Sequence, residues 1–183
     1  MQTFSVWVDD KPGVLNRVSS LFRRRGYNIE SLTVGHTDTE GLSRMTIVVD
    51  TDERGGRLVE ANLYKLIPVR RVENITLVPQ IARDLAMIKV TATHETRAQV
   101  MVLAEVYRTR IVDVSADALV VEVTGTEDKI ESLLDMLRPF GVIEMVRTGQ
   151  VVMKRGSAKP TREERRRIAA TAAGAGTPTD LSV

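Results

Sequence analysis

Along "TFSVWVD" the apolar side chains Phe4, Val6 and Val8 fall on every second position, the period of a strand with one buried face. The period changes at Val14. In "GVLNRVSSLFRRRG", Val14, Leu15, Val18, Leu21 and Phe22 recur at helical spacing, with Arg17, Arg23 and Arg24 largely outside that stripe. Gly26 is the predicted helix C-cap, because glycine enters the left-handed region at little cost. "YNIESLTVGHT" predicts a second strand, "TDTEG" a turn, and "LSRMTIVVD" a third strand in which Met45, Ile47 and Val49 alternate. An amphipathic helix follows in "RLVEANLYKLI", carrying Leu58, Val59, Leu63, Leu66 and Ile67. "VRRVENITLVP" closes the pattern as a fourth strand.

The order then recurs. "DLAMIKVTAT" predicts a strand and "TRAQVMVLAEVYR" a helix. "RIVDVS" and "ALVVEVTG" predict two strands meeting at "SADA". "TEDKIESLLDMLRPFG" predicts a helix opened by Thr126, with acidic residues in its first turn. "VIEMVRTGQVVMKRG" predicts a closing strand. The fold class is therefore α+β, with two ferredoxin-like βαββαβ domains in tandem. The first domain is expected over residues 1–79, a linker over 80–84 within "PQIARD", and the second domain over 85–156. Beyond Gly156 the chain is rich in Ala, Thr, Gly and Pro and poor in large apolar residues, so 157–183 is expected to be a mostly disordered tail.

Composition narrows the function classes. With 183 residues and 43% hydrophobic content the chain can bury real cores. It has no cysteine, which excludes disulfides, thiolate nucleophiles and cysteine-held metals. No apolar run reaches the ~18 residues of a membrane span, and "MQTFSVWVDD" does not read as a signal peptide, so a cytoplasmic protein is expected. Net charge is only +2 and aromatic content 4%, and no strand interleaves the aromatics that stack bases, so no nucleic-acid partner is expected. "RRR" at Arg23–Arg25 is more simply the last turn of a helix, where cations complement the dipole.

Candidate chemistry is sparse. His36 and His94 sit in no metal-ligand spacing and read as surface histidines. Asp9 and Asp10 are adjacent on an extended segment, so they point to opposite sides and read as turn and capping residues. The chain is expected to hold no metal or cofactor and to catalyse nothing by itself.

One turn does offer chemistry. "VDDKPGVL" runs from a strand through Pro12-Gly13 into a helix. Pro12 fixes the chain direction and Gly13 leaves the helix start open. The N–H groups of Gly13, Val14 and Leu15 there suit a carboxylate. Asn28, which opens the next strand and is read as lying beside this turn, offers a donor and an acceptor. An α-amino acid is the natural guest, and Val14, Leu15 and Ile29 would favour an aliphatic one. From spacing alone, a plain tight turn fits as well as a ligand site.

"DKPGVLNRVSSLFRRRGYNIESLTVG" followed by "LSRMTIVV" closely resembles the small, regulatory subunits of acetohydroxyacid synthase, also called acetolactate synthase. "RDLAMIKV", "TRAQV", "RIVDVS", "VTGTEDKIE" and "RTGQVVMKRG" carry the resemblance through the second half, to cover about residues 2–156. The resemblance implies that the first domain is an ACT domain, the small-molecule-sensing form of the ferredoxin-like fold. It implies a homodimer through ACT domains and a separate large catalytic subunit that uses thiamine diphosphate, magnesium and FAD. That enzyme joins two pyruvates, or pyruvate and 2-ketobutyrate, at the start of branched-chain amino-acid synthesis. The small subunit raises its activity and confers feedback inhibition, usually by valine. Matched position by position, the effector contacts would be Asp10, Gly13, Val14 and Leu15 from one chain, with Asn28 and Ile29 from its partner. The family often has asparagine where this chain has Asp10. An aspartate there either pairs with the ligand ammonium or repels its carboxylate, as geometry decides. A different ACT-type sensor, such as a transcriptional regulator, would need a DNA-reading element, and none is visible.

Overall fold

A computed structural model of the chain describes residues 1–156. The tail expected over 157–183 lies outside the described residues. The chain divides into two compact units, one of Met1–Gln80 with the segment from Lys154, the other of Ile81–Met153.

The first unit runs β1 (Gln2–Asp9), α1 (Val14–Arg25), β2 (Ile29–His36), β3 (Leu42–Val49), α2 (Glu53–Leu63) and β4 (Val69–Asn74). The strands form one antiparallel sheet in the order β2-β3-β1-β4. Phe4, Val6 and Val8 of β1 and Met45, Ile47 and Val49 of β3 pack with Val14, Val18, Leu21 and Phe22 of α1 and Val59 and Leu63 of α2. Each such side chain, once fully buried, contributes about 1.5–3 kcal/mol. Gly26 caps α1 in the left-handed region at φ 69°, as predicted.

The second helix differs from expectation. It starts at Glu53, four residues before Arg57, because Asp52 caps it through Oδ1 accepting from the Gly55 N–H at 2.7 Å. It ends at Leu63, which leaves Ile67 outside it and 84% exposed. Leu58 is also exposed, so two of the five residues read as its apolar stripe have no core partner. Gly56 packs closely on β1, and a Cβ there would stand 2.9 Å from Gln2 Oε1.

The second unit repeats the plan with β5 (Gln80–Thr91), α3 (Arg97–Val106), β6 (Arg110–Val114), β7 (Ala118–Gly125), α4 (Glu127–Leu137), β8 (Val142–Arg147) and β9 (Val151–Lys154). Its sheet order is β6-β7-β5-β8, and β9 also pairs with β5. The boundary between the units falls at Gln80–Ile81, within the expected linker, and residues 80–84 are extended and open β5, where Asp84 is buried. One expectation is corrected. The expected single closing strand is broken at 148–150, because Asp84 gathers that segment. Its Oδ1 accepts from the Thr148 hydroxyl and the Gly149 N–H, both at 3.1 Å, and its Oδ2 accepts from Arg147 Nε at 3.0 Å. Burial opposes the charge of Arg147, yet Asp84 and Glu131 together raise its pKa above the ordinary guanidinium value. Thr126 does precede α4, but without a side-chain cap bond.

Candidate functional site

The turn from β1 to α1 is held at three points. Asp9 closes β1 with its N–H on the Pro68 carbonyl and its carboxylate on Arg70, at 2.5 Å to Nε and 2.7 Å to Nη2. Asp10 donates its N–H to the Gly41 carbonyl at 2.9 Å. The Val14 N–H reaches back to the Lys11 carbonyl at 3.4 Å and closes the turn. Neither aspartate caps the helix, which has no side-chain cap bond.

Gly13 stands at the N-cap with φ 83°, the left-handed conformation that favours glycine. Nothing lies within 4 Å of where its Cβ would be, so the helix start faces open space. The N–H groups of Gly13, Leu15 and Asn16 find no acceptor among the described residues. This shifts the expected donor set by one place, since Val14 is spent on the turn and Asn16 joins. Val14 also turns its side chain into the core, at 6% exposure, whereas Leu15 remains half exposed beside the turn.

Asp10 is not alone. Its Oδ2 lies 3.1 Å from Nδ1 of His36, the last residue of β2. Sequence reasoning passed over His36 because its neighbours carry no ligand motif. The signal was topological, since β1 and β2 both end at this edge of the sheet. Trp7 was missed as well. The guanidinium carbons of Arg44 and Arg71 lie 5.0 and 4.9 Å from its ring centre, on neighbouring strands. Burial lowers the pKa of Arg44, Glu73 partly offsets this, and Arg71 adds to it.

Asn28 and Ile29 do not lie beside the turn of their own chain. Ile29 pairs with Val49, and Val49 with Gln2, at the end of the sheet where β1 begins. His36 pairs with Ser43, and Leu42 with Asp9, at the end where the turn sits. The seven steps of β2 separate these ends by ~23 Å at a strand rise of ~3.3 Å per residue. The cause is the crossover, because α1 carries the chain back to the starting end before β2 begins. Asn28 is exposed there, with its amide on the Glu30 carboxylate, and Ile29 packs partly against the core. The structure thus brings Asp10, Gly13, Val14 and Leu15 together and holds Asn28 and Ile29 apart from them.

The first unit is a βαββαβ domain whose first helix starts open at a glycine, and comparison identifies its class as the ACT domain. Residues 4–71 match the AHAS small subunit-like ACT domain, and residues 83–156 match the small subunit of acetolactate synthase. The chain is 49% identical over 157 residues to a probable acetolactate synthase small subunit of Archaeoglobus fulgidus, covering 86% of this chain and 98% of that one. It is 44% identical over 151 residues to the acetolactate synthase small subunit of Bacillus subtilis, covering 82% and 88%. The crystal structure of the acetolactate synthase small subunit from Thermotoga maritima superposes with a TM-score of 0.80 at 38% identity, covering 86% and 98%. The chain belongs to the acetolactate synthase small-subunit family. Among the described residues no helix is long and apolar enough to cross a membrane, and no group of three or more acidic or histidine side chains could hold a metal ion.

Proposed function

We propose that this chain is the regulatory subunit of a cytoplasmic acetolactate synthase, that it activates a separate catalytic large subunit, and that it confers feedback inhibition by valine. Thiamine diphosphate, magnesium and FAD belong to the large subunit, as does the joining of two keto acids. This chain's work is to sense the end product.

The observation that carries this reading is the ~23 Å gap between the two halves of the site. It supports a site shared between two copies. β2 is an edge strand. If two copies pair their β2 edges antiparallel about a two-fold axis, the Ile29 end of one meets the His36 end of the other. Asn28 and Ile29 of the partner subunit then come beside Asp10 and Gly13. The valine carboxylate takes the N–H groups of Gly13, Leu15 and Asn16, helped by the helix dipole. Its ammonium takes the Asp10 carboxylate and the amide oxygen of Asn28. Its side chain rests on Leu15 and Ile29. Of the two roles open to Asp10, the ammonium partner is favoured, since its carboxylate contacts His36 and makes no cap bond to the helix start.

Valine then crosslinks two chains and biases the arrangement that the large subunit feels. Such coupling is typically ~1–3 kcal/mol, and linkage requires the large subunit to change valine affinity by the same factor. The test is calorimetric titration of the purified chain with valine, alongside assay of the large subunit with and without it. Saturable valine binding, stimulation by the chain, and loss of stimulation on adding valine are expected. A chain that neither stimulates the large subunit nor binds valine in its presence overturns the reading.

A further inference from the structure

A second feature of the first unit has no part in the effector site. Between α1 and α2 lies a cleft of about 430 Å³, lined by Leu21, Arg24, Arg25, Asn62, Lys65 and Leu66. Arg24, Arg25 and Lys65 are exposed at its rim. None of them pairs with a carboxylate among the described residues. Arg24 Nε reaches only the Ser20 carbonyl at 3.3 Å, and Lys65 Nζ stands 3.4 Å from Asn62 Oδ1. Asn62 is 7% exposed and spends its amide on the Leu58 carbonyl at 2.7 Å. Arginines in the last turn of α1 complement its dipole, which explains their place on that helix. It does not explain why Lys65, from a different element, faces the same space.

The cleft also has apolar neighbours. Ile67 is 84% exposed one residue beyond Leu66, and Leu58 is exposed on α2. Pockets for small ligands are mostly apolar and enclosed, with few polar groups. Here long, solvated cations rim a shallow space that Leu21 and Leu66 also line. Arginine beside an apolar anchor is the composition of a protein interface. The unpaired positive charge complements a partner surface that brings carboxylates.

We propose that this cleft is the docking site for an acidic segment of the catalytic large subunit, with Arg25 and Lys65 clamping its carboxylates and Ile67 as the apolar anchor. The proposal rests on the regulatory role given above. It also supplies a physical route for regulation. α1 begins at the effector turn and ends at Arg25, 12 residues later. At 1.5 Å per residue it is a rod of ~18 Å. A shift of α1 that tightens the turn around a carboxylate moves the arginines at its far end.

The test uses the full chain and the intact large subunit. Arg25→Glu with Lys65→Glu is compared with Arg54→Glu, a single charge reversal on α2 outside the cleft. The double reversal is expected to weaken association by ~100-fold and to flatten its salt dependence, since steering charges act on association in this way. Arg54→Glu is expected to stay within about threefold of wild type, the usual scale for an isolated surface charge. Valine titration of both variants without the large subunit should match wild type, which shows that the fold and effector site are intact. If the double reversal binds the large subunit as tightly as wild type, the cleft is not the docking site and the regulatory role stands. If wild type itself fails to bind, the role and this proposal fall together. If the double reversal loses only binding of inorganic pyrophosphate, the cleft serves a small anion and the proposal is overturned.

Discussion

In the first unit the chain passes from β1 to α1 through Asp10–Gly13; in the second it passes from β5 to α3 through Ala92–Thr96. The position in the fold is the same and the treatment is opposite. The second turn is filled by its own side chains. The Thr93 N–H donates to Thr96 Oγ1 at 3.0 Å, and the two threonine hydroxyls meet at 3.1 Å. Arg97 lays its guanidinium over the carbonyls of Ala92, Ser115 and Ala116 at 3.2, 2.6 and 2.8 Å. Neither helix start has a side-chain cap bond, but the first turn has a left-handed glycine and open space where its Cβ would be. An open helix start therefore belongs to the first turn and not to the fold that repeats around it.

That contrast can be broken or sharpened by substitution. The largest effect is expected in the closed unit. Asp84→Ala leaves Arg147 with Glu131 as its one carboxylate partner among the described residues and frees Thr148 and Gly149, at a cost of about 3 kcal/mol. Chemical denaturation should show the loss, while valine binding to the first unit persists. Gly13→Asp imposes on the open turn the closure of the other one. Its carboxylate caps the helix N–H groups and repels an incoming carboxylate, so valine affinity should fall by at least ~100-fold in calorimetry. The left-handed backbone costs such a residue roughly 1 kcal/mol, partly offset by the cap, so the fold should survive by circular dichroism. Asn28→Ala removes one hydrogen-bonding arm and should weaken valine by about tenfold, with dimerisation measured by sedimentation unchanged. Thr93→Ala is expected to do least. Opening the second turn should cost about 1 kcal/mol of stability and create no valine site.

The strands and helices were largely legible because apolar period follows directly from which face is buried. Phe4, Val6 and Val8 alternate, and Val14, Val18, Leu21 and Phe22 recur at helical spacing, and all of them are core. The extent of α2 was not legible from period, since its start is set by the Asp52 cap and Leu58 and Ile67 follow the helical pattern without a core to meet. The break in the closing strand depends on a carboxylate more than sixty positions away, which no local window contains. The turn at Gly13 was legible as an open helix start. The distance to Asn28 was hidden, because it is a product of crossover topology and not of spacing along the chain.

The central claim is that each effector site is shared between two copies, with the turn from one and Asn28 from the other. Mixing Gly13→Asp chains with Asn28→Ala chains tests it most directly. Alone, the first variant should not bind valine and the second should bind it weakly. In a mixed dimer one site carries both changes and the other carries neither. Recovery of wild-type affinity at one site per mixed dimer, read by calorimetry after subunit exchange, is the predicted result. No recovery in verified mixed dimers means that turn and asparagine do not meet across an interface, and the shared site is wrong.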